Sequence, residues 1–252
     1  MSINAVSNHN TYKLYAQLSS GKKVNTAADN ASGLAIIHKL LREENGLTIG
    51  SQNASDGIGL VNVADGAMSG ITDSLQRMHE LGVYAQNGLL SDSDRQMIQQ
   101  EVDQLKQDIQ SLSKNTSLNE QTLLDGSMAD INLATNPSGG GMSIQMVDTT
   151  LQSLGIADFD VTKDFDLSTI SKAMEKVSNA RSSMGASANR LGHVTNYNNL
   201  AAQNLTASRS RMEDTDMAEA VSKLKTNNIL EHFRFMMSKQ NQMQRMTIMG
   251  LL

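Results

Sequence analysis

The sequence has no cysteine, no tryptophan and a single proline, and only 3% of its 252 residues are aromatic. Without cysteine the chain cannot form disulfide bonds, cysteine metal sites or cysteine nucleophiles. Aromatic rings supply the largest buried areas of most globular cores, so their scarcity argues against one thick core. The apolar material consists mainly of Leu, Ile, Val, Ala and sixteen Met. This composition favours long, thin helical packing.

Charge and hydropathy exclude further classes of protein. The formal net charge is −5 and no basic run is interleaved with aromatic residues, so we expect no nucleic-acid partner. No stretch is apolar enough to span a bilayer, so we expect no membrane insertion. Residues Met1 to Asn10 are polar, lack the apolar core of a secretory signal peptide, and are expected to be unstructured.

Helix-breaking residues are concentrated in the middle of the chain, at Pro137 and at Gly139 to Gly141. On the amino-terminal side, apolar residues recur at steps of three and four, which predicts a helix from about Ala31 to Leu90. A second helix is predicted from Ser91, whose hydroxyl can form a capping box with Asp94. We expect this second helix to run back along the first.

The middle of the chain has a different pattern. Around the Pro-Ser-Gly-Gly-Gly turn, the segments Ile131–Thr135 and Met142–Met146 alternate in polarity, which predicts a β-hairpin. The helical period resumes at Ser168. It stops at a joint near residues 213–216, where Asp216 and Glu219 form a capping-box pattern that begins a last helix.

The helix after Ser168 carries a seam of residues at alternating steps of three and four, which requires a partner helix. The seam consists of Leu191, Val194, Asn198, Ala201, Leu205, Ser208 and Met212. These elements together predict a mainly α fold, an elongated antiparallel bundle of long helices with a small β-hairpin element. The N- and C-terminal helices are expected to pair as a coiled coil. Half-paired terminal helices expose apolar residues that further copies can cover, and a head-to-tail contact that does not close produces a helical filament.

Five segments resemble the signature segments of bacterial flagellins, in the same order along the chain. They are Leu18–Asn25, Ala27–Ile36, Asn53–Ile58, Leu75–Leu81 and Ala207–Asp216. The resemblance implies a structural subunit of the flagellar filament, with no enzymatic activity, no catalytic residues and no cofactor. It further implies an inner-core domain of residues 1–30 with 213–252, and a helical bundle of residues 31–212 with the hairpin element at about 120–165. The short span between the hairpin and Ser168 indicates a minimal form without an outer domain.

The resemblance also implies partners and a location. The subunit would form a homopolymer in the extracellular filament, after export through the flagellar type III channel with a chaperone on its carboxy-terminal segment. It would fold beneath the flagellar cap and meet the hook-associated junction proteins. Some flagellins are recognised by Toll-like receptor 5, and the matching positions are Arg77, Leu81 and Glu101. For these three residues, filament packing is the primary role that we expect.

Two features depart from the family. The stretch before Leu18 is shorter than is usual in flagellins, so the pairing of the two ends is expected to be altered. The tail is richer in methionine than the family's usual ending, with Met243, Met246 and Met249 near its end. Flexible methionine side chains fill irregular gaps, so we expect this tail to repack against the shorter amino-terminal end.

Two other functions have related sequence features. A hook-filament junction protein of the same superfamily has similar termini, but generally shows a Pro-Ser-Asp-Asp-Pro version of the segment that here runs from Thr26 to Ala31 without proline. A signalling coiled coil such as the cytoplasmic hairpin of a chemoreceptor would share the long helices and small residues. It would not need the hairpin at Ile131 to Met146 or the capped joint near Asp214.

Small clusters of chemically active residues have structural explanations. The acidic residues Asp158, Asp160, Asp164 and Asp166 lack the glycine and the terminal glutamate of an EF-hand loop, so we favour helix and loop capping over metal binding. The five histidines show no ligand spacing. Three glycines on the first long helix are expected to permit close helix approach or local bending. They are Gly57, Gly59 and Gly66.

Overall fold

The computed structural model describes residues 3–249, with the surroundings of the side chains given for residues 11–246. The chain divides into two compact units. Unit 1 consists of Met1–Glu44 and Ala202–Leu252, and unit 2 consists of Asn45–Ala201.

Long helices dominate the described residues, as the sequence predicts. The helices are α1 Ile3–Ser20, α2 Ala27–Ala85, α3 Asp92–Asn115, α4 Leu151–Leu154, α5 Ser168–Glu213 and α6 Met217–Met249. Two short antiparallel strand pairs accompany them. The strands are β1 Ser117–Leu118, β2 Gln121–Thr122, β3 Asp130–Ala134 and β4 Gly141–Gln145. The mainly α fold with a small β-hairpin element is therefore confirmed.

The expectation that Met1 to Asn10 is unstructured is wrong for residues 3–10, because α1 begins at Ile3. Polar composition misled the prediction. No proline or glycine interrupts residues 3–20, and α1 packs against α6, where the Thr11 hydroxyl donates to Glu231 Oε1 at 2.8 Å. Most of the stability of a protein helix comes from such tertiary packing and little from local preference.

Local capping sets the helix boundaries. Within α2, Asn30 is extended at φ −164°, and its side-chain oxygen accepts a hydrogen bond from the Gly33 amide at 2.9 Å. The long part of α2 therefore starts with an asparagine N-cap. Ser91 caps α3 with both bonds of the predicted capping box: its hydroxyl accepts from the Asp94 amide, and the Asp94 carboxylate accepts from the Ser91 amide.

Unit 2 contains the main hydrophobic core, which α2 forms with the antiparallel helices α3 and α5. On α2, the fully buried residues Met68, Ile71, Leu75 and Met78 follow steps of three and four and so lie on one face. Ion pairs mark the two helix contacts. Arg77 on α2 meets Glu101 on α3 at 2.8 Å, and Arg181 on α5 meets Asp65 on α2 at 2.8 Å.

The predicted hairpin is present as β3 and β4, with Asp130 opposite Gln145 and Ala134 opposite Gly141. Its apolar side chains alternate to one face, where Met142 and Ile144 are buried in the core of unit 2. The hairpin is held directly by the helices. Asn198 Nδ2 on α5 donates to the backbone oxygen of Thr135 at 2.9 Å.

The glycines of α2 differ in what surrounds them. A Cβ on Gly57 would lie 2.2 Å from Leu133 Cδ1, so this glycine permits the close approach of the hairpin. Gly59 and Gly66 have nothing within 4 Å of that position, so close approach does not explain them. Gly50 was not singled out from the sequence. Of the glycines on α2, it leaves the least room for a Cβ beside the backbone of another segment. A Cβ there would lie 2.3 Å from the Thr135 carbonyl oxygen.

We expect Gly50→Ala to destabilise unit 2 by about 1–3 kcal/mol, because backbone must move to admit the methyl group. Gly59→Ala is the matched control on the same helix. With open space around it, alanine should stabilise the helix by roughly 0.5–1 kcal/mol. Urea unfolding followed by circular dichroism measures both variants. A Gly50→Ala protein as stable as the Gly59→Ala protein would contradict the close contact with Thr135.

Candidate assembly surface and joint of unit 1

In unit 1, α6 turns one side towards α1. The described side chains on that side are the least exposed of the helix, and they are spaced by four, three and four residues. They are Ala220, which is buried, and Leu224, Asn227 and Glu231, which are half-buried. Glu231 accepts the hydrogen bond from Thr11 of α1. The covered side of α6 is therefore defined by this row.

The opposite side of α6 carries an exposed apolar row, which we call the α6 stripe. Helical spacing of four, three and seven residues places its members on one face, about half a turn from the covered row. The stripe consists of Ile229, Phe233, Met236 and Met243. The first three side chains are 68%, 58% and 62% exposed. The predicted repacking of the methionine-rich tail is not seen at Met236, Met243 or Met246, while the side chain of Met249 lies outside the described residues.

Unit 1 buries little hydrophobic material of its own. Among its described side chains, the buried hydrophobic residues are Val24, Ile37 and Ala220. Besides the α6 stripe, Tyr12 and Tyr15 on α1 are exposed. Soluble monomers rarely expose contiguous apolar patches of this kind, and larger ones mark interaction sites. The exposed apolar side chains of unit 1 therefore form its candidate interaction surface.

The joint between α5 and α6 is tied to the segment that follows α1. The Lys23 amide donates to the Glu213 oxygen at 2.7 Å, and the Thr215 amide donates to the Gly21 oxygen at 2.9 Å. Gly21 has φ +71°, a left-handed conformation that glycine adopts most easily. Asp216 caps α6 by accepting from the Glu219 amide at 3.1 Å. The joint predicted near residues 213–216 is confirmed. Glu219 was the predicted second member of the capping box, but its carboxylate pairs with Lys223 at 2.7 Å.

A network of ion pairs stabilises this joint. Arg209 joins Glu44 at 3.0 Å and Glu213 at 2.9 Å, and Glu213 also pairs with Lys22. The Glu213 side chain is only 7% exposed. Burial opposes its ionisation, but the hydrogen bonds from Lys22 and Arg209 outweigh burial and lower the pKa of Glu213. Burial likewise opposes ionisation of Glu44, and the bonds from Arg209 and Thr206 lower its pKa.

The Asp29 carboxylate links α1 to the start of α2. Asp29 pairs with Lys13 at 2.9 Å and accepts from the Thr26 and Asn25 amides, each at 3.1 Å. The Lys13 bond, followed by the two amide bonds, lowers the pKa of Asp29 to about 2. Asp29 belongs to Ala27–Ile36, one of the segments that resemble flagellins, and its carboxylate positions the two helices.

We expect unit 1 to lose stability as the solution is acidified. A carboxylate with a lowered folded-state pKa stabilises the fold fully above its ordinary pKa, and that stability is lost as pH falls through the lowered value. For Glu213 and Glu44 the loss begins near the ordinary value of 4.5 and continues below it. Glu213→Gln should therefore lower the melting temperature at pH 7 and flatten its decline at acid pH. Thermal melts between pH 7 and pH 2 test this, and parallel pH profiles for the two proteins would contradict it.

The predicted seam residues of α5 face partners in their own chain. Leu191 is fully buried in the core of unit 2, and Asn198 is buried with its amide on Thr135. Val194 packs against the same core. The remaining members Ala201, Leu205, Ser208 and Met212 are half-buried. A role for this seam in contacts between subunits stays a prediction.

Of the three residues predicted for receptor recognition, two meet at the surface. Arg77 Nε lies 2.8 Å from Glu101 Oε1, and its guanidinium also reaches Glu80 at 3.2 Å. The hydrogen bonds that Arg77 donates to Glu101 and Glu80 raise its pKa. Leu81 instead is buried, in the core of unit 2. The structure thus brings Arg77 and Glu101 together on the surface and places Leu81 beneath it.

In the acidic loop before α5, the carboxylates of Asp160 and Asp166 cap backbone amides, as predicted for these two. Asp166 accepts from the Ser168 amide at 2.8 Å, and Asp160 accepts from the Thr162 amide at 2.9 Å. Among the side chains described, those of residues 11–246, no three from His, Asp or Glu converge as metal ligands would. Within residues 3–249, none of the helices combines the length and hydropathy that a bilayer crossing needs.

Sequence reasoning missed two features of unit 1. The α6 stripe could have been found from its four- and three-residue spacing. The network of Lys22, Glu44, Arg209 and Glu213 could not, because its members come from distant parts of the sequence. A helix pair with an uncovered apolar row, tied by a charged joint, is typical of a helical structural subunit whose exposed face is covered by a partner.

Comparison with known proteins identifies the family. The model of the bacterial flagellin N-terminal helical region matches residues 1–129, and that of the C-terminal helical region matches residues 167–251. The flagellin of Bacillus subtilis (strain 168) is 32% identical over 291 residues, which cover 99% of this chain and 96% of that protein. The chain belongs to the bacterial flagellin family.

Solved structures agree with this assignment. The crystal structure of Bacillus cereus flagellin matches 58% of this chain and 88% of its own, with a TM-score of 0.53 and 27% identity. A putative flagellar hook-associated protein from Vibrio parahaemolyticus matches 74% of this chain and all of its own, with a TM-score of 0.61. At 15% identity the latter shows a shared fold alone.

Proposed function

We propose that this flagellin-family filament subunit polymerises through unit 1, with the α6 stripe as a principal contact between copies. As a member of the family, the protein has a structural role in the flagellar filament. The observation that carries the proposal is the exposure of Ile229, Phe233 and Met236 on the side of α6 that α1 leaves uncovered. Repetition of one subunit covers such a row at every position of a helical assembly.

The domain organisation proposed from the sequence is compatible with this role. Residues 1–30 with 213–252 would form the inner-core domain, and residues 31–212 the bundle with the hairpin element at about 120–165. Between Gln145 and Ser168, α4 is the sole helix or strand among the described residues. This short connection supports a minimal flagellin without an outer domain.

Electron microscopy of the purified protein tests the assignment. After incubation above a critical concentration, the protein should form filaments of repeating subunits. Filament mass collected by sedimentation should rise in proportion to protein above that concentration. A protein that remains as soluble monomers or dimers under all conditions that polymerise other flagellins would contradict the proposal.

We also propose that the subunit is secreted and works outside the cell. Export through the flagellar type III channel, a chaperone on the carboxy-terminal segment, folding beneath the cap and contact with hook-associated junction proteins follow from the family resemblance. The lack of cysteine supports passage as an unfolded chain, since no disulfide can lock it. Comparison of culture medium from cells with and without a working flagellar export apparatus tests secretion.

For Toll-like receptor 5, we propose that Arg77 and Glu101 are the contacting residues of the predicted set. Both are half-exposed and form an ion pair between adjacent helices. Leu81 is buried, so it would affect receptor binding only by stabilising the fold. Receptor-reporter cells exposed to monomeric Arg77→Ala protein test this. Arg181→Ala, which breaks the other ion pair between helices of unit 2, is the matched control.

A hook-filament junction protein remains the alternative function within the superfamily. The fold shared with the Vibrio parahaemolyticus protein does not separate the two functions. The segment from Thr26 to Ala31 lacks the prolines typical of junction proteins. Both family models and the Bacillus subtilis relative favour the flagellin assignment.

A further inference from the structure

The described methionines differ widely in exposure, and one exposed member, Met97, lies outside α6, on α3. Met68, Met78 and Met184 are buried in the core of unit 2. A second group lies exposed along α6. It consists of Met217, Met236, Met237, Met243 and Met246. Because the chain has no cysteine, methionine thioethers are its only sulfur groups. Apart from Met97, the exposed methionines among the described side chains therefore all lie on the helix that carries the exposed apolar row.

We propose that the exposed methionines of α6 are an oxidation site for peroxides, and that their oxidation blocks assembly of the free subunit. The assembly half of the proposal rests on the proposed function, in which copies cover the α6 stripe. The oxidation half rests on exposure alone. Exposed sulfur reacts with small oxidants, whereas buried sulfur is shielded by the surrounding side chains.

The reaction needs only the oxidant. The thioether sulfur uses a lone pair to attack one oxygen of hydrogen peroxide, an S–O bond forms, and the O–O bond breaks. The second oxygen leaves with the proton of the transferred hydroxyl and ends as water. Sulfur is oxidised by two electrons and the peroxide is reduced by two. The product is methionine sulfoxide, which is polar where the thioether was apolar.

Met236 links this chemistry to assembly. It follows Phe233 by three residues and precedes Met243 by seven, so its sulfur lies within the α6 stripe. Met237 and Met246 flank the stripe on either side of the helix. On burial in a contact between subunits, the sulfoxide oxygen would lose its hydrogen bonds to water and find no partner placed to replace them. Its burial is therefore unfavourable. Once the filament has formed, the same contact should shield Met236 from oxidant.

The first experiment locates the site. The purified monomer is treated with hydrogen peroxide, digested, and analysed by peptide mass spectrometry over time. Met236, Met237 and Met246 should oxidise at least about tenfold faster than Met68, Met78 and Met184. In urea this difference should disappear, because unfolding exposes every methionine. Equal rates in the native protein would overturn the proposal.

The second experiment measures assembly. Peroxide-treated wild-type subunits should sediment as filaments at least about tenfold less than untreated subunits, and methionine sulfoxide reductase with its reductant should restore them. The comparison variant replaces Met217, Met236, Met237, Met243 and Met246 by leucine, a volume-conserving change. Whatever amount of filament the untreated variant forms, peroxide should not reduce it. Equal loss of assembly in this variant, or full assembly of oxidised wild-type protein, would overturn the role of these residues.

Two further outcomes separate this proposal from the proposed function. If untreated protein fails to polymerise, the filament assignment fails, and the assembly half of this proposal fails with it, whatever the oxidation rates. If untreated protein polymerises, preformed filaments should show Met236 oxidising several-fold more slowly than in the monomer. Unchanged oxidation of Met236 in filaments would place the α6 stripe outside the contact between subunits. That result would overturn this proposal and the contact role of the stripe, whereas the filament function would stand.

Discussion

Replacing Ile229 and Phe233 together by aspartate is expected to abolish filament formation while leaving the single chain folded. Both side chains are mostly exposed in the free subunit, so their loss removes little buried area from the fold. In the filament the same positions would place two carboxylates in an apolar contact. Burial of an unpaired charge costs several kcal/mol, and the cost recurs at every subunit of the polymer.

Sedimentation and negative-stain electron microscopy measure this outcome, and circular dichroism checks that the helices are intact. The matched control is Gln242→Asp, which places a charge at an exposed position of α6 away from the stripe. The control should polymerise close to normally. A double variant with an unchanged critical concentration would show that the α6 stripe is not a contact between subunits. Loss of assembly in the control as well would point to a general effect of added charge on α6.

Leu75→Ala is expected to have the largest effect on the stability of unit 2, a loss of about 2–5 kcal/mol. Leu75 is fully buried on the core-facing side of α2, between Ile71 and Met78. Truncation removes apolar contacts and leaves a cavity that the close-packed neighbours fill only in part. The transition measured by urea should move to lower concentration with little change in slope.

Leu200→Ala is the control for this experiment, since it makes the same chemical change on α5 at a side chain that is 60% exposed. Its effect on the single chain should stay within about 0.5 kcal/mol. If the two variants unfold at the same urea concentration, Leu75 does not occupy the core described here. Because this experiment uses the monomer, its result is independent of how the filament forms.

The helices that were predicted well have strong local signals at their ends. Ser91 and Asp94 form their capping box within four residues, and Asp216 caps α6 from the position that the sequence indicates. The hairpin is similarly local, because Pro137 and the glycines after it interrupt any helix and alternation defines the strands. The error at residues 3–10 has the opposite origin. Their helix packs against α6, more than two hundred residues away in the sequence, and local composition does not contain that partner.

The candidate site was predictable in part. The resemblance of Arg77 and Glu101 to receptor-binding positions came from the sequence, but their ion pair required α3 to return along α2. Leu81 lies one turn from Arg77, yet it is buried, because the boundary of the core runs between them. Spacing identifies a face of a helix. It does not say how far the neighbouring helices reach around that face.

The sequence by itself determined the family, the mainly α class, the capped ends of α3 and α6, and the place of the hairpin, because these depend on residues within a few positions of each other. The tertiary structure alone decided which side of α6 remains uncovered and that Gly50, not Gly59, is crowded. It also decided that Lys22, Glu44, Arg209 and Glu213 form one network of ion pairs at the joint. Exposure and ion pairing depend on partners that are distant in the chain. The spacing of apolar residues identifies the row on α6. That this row is exposed depends on α1, which packs against the opposite side of the helix.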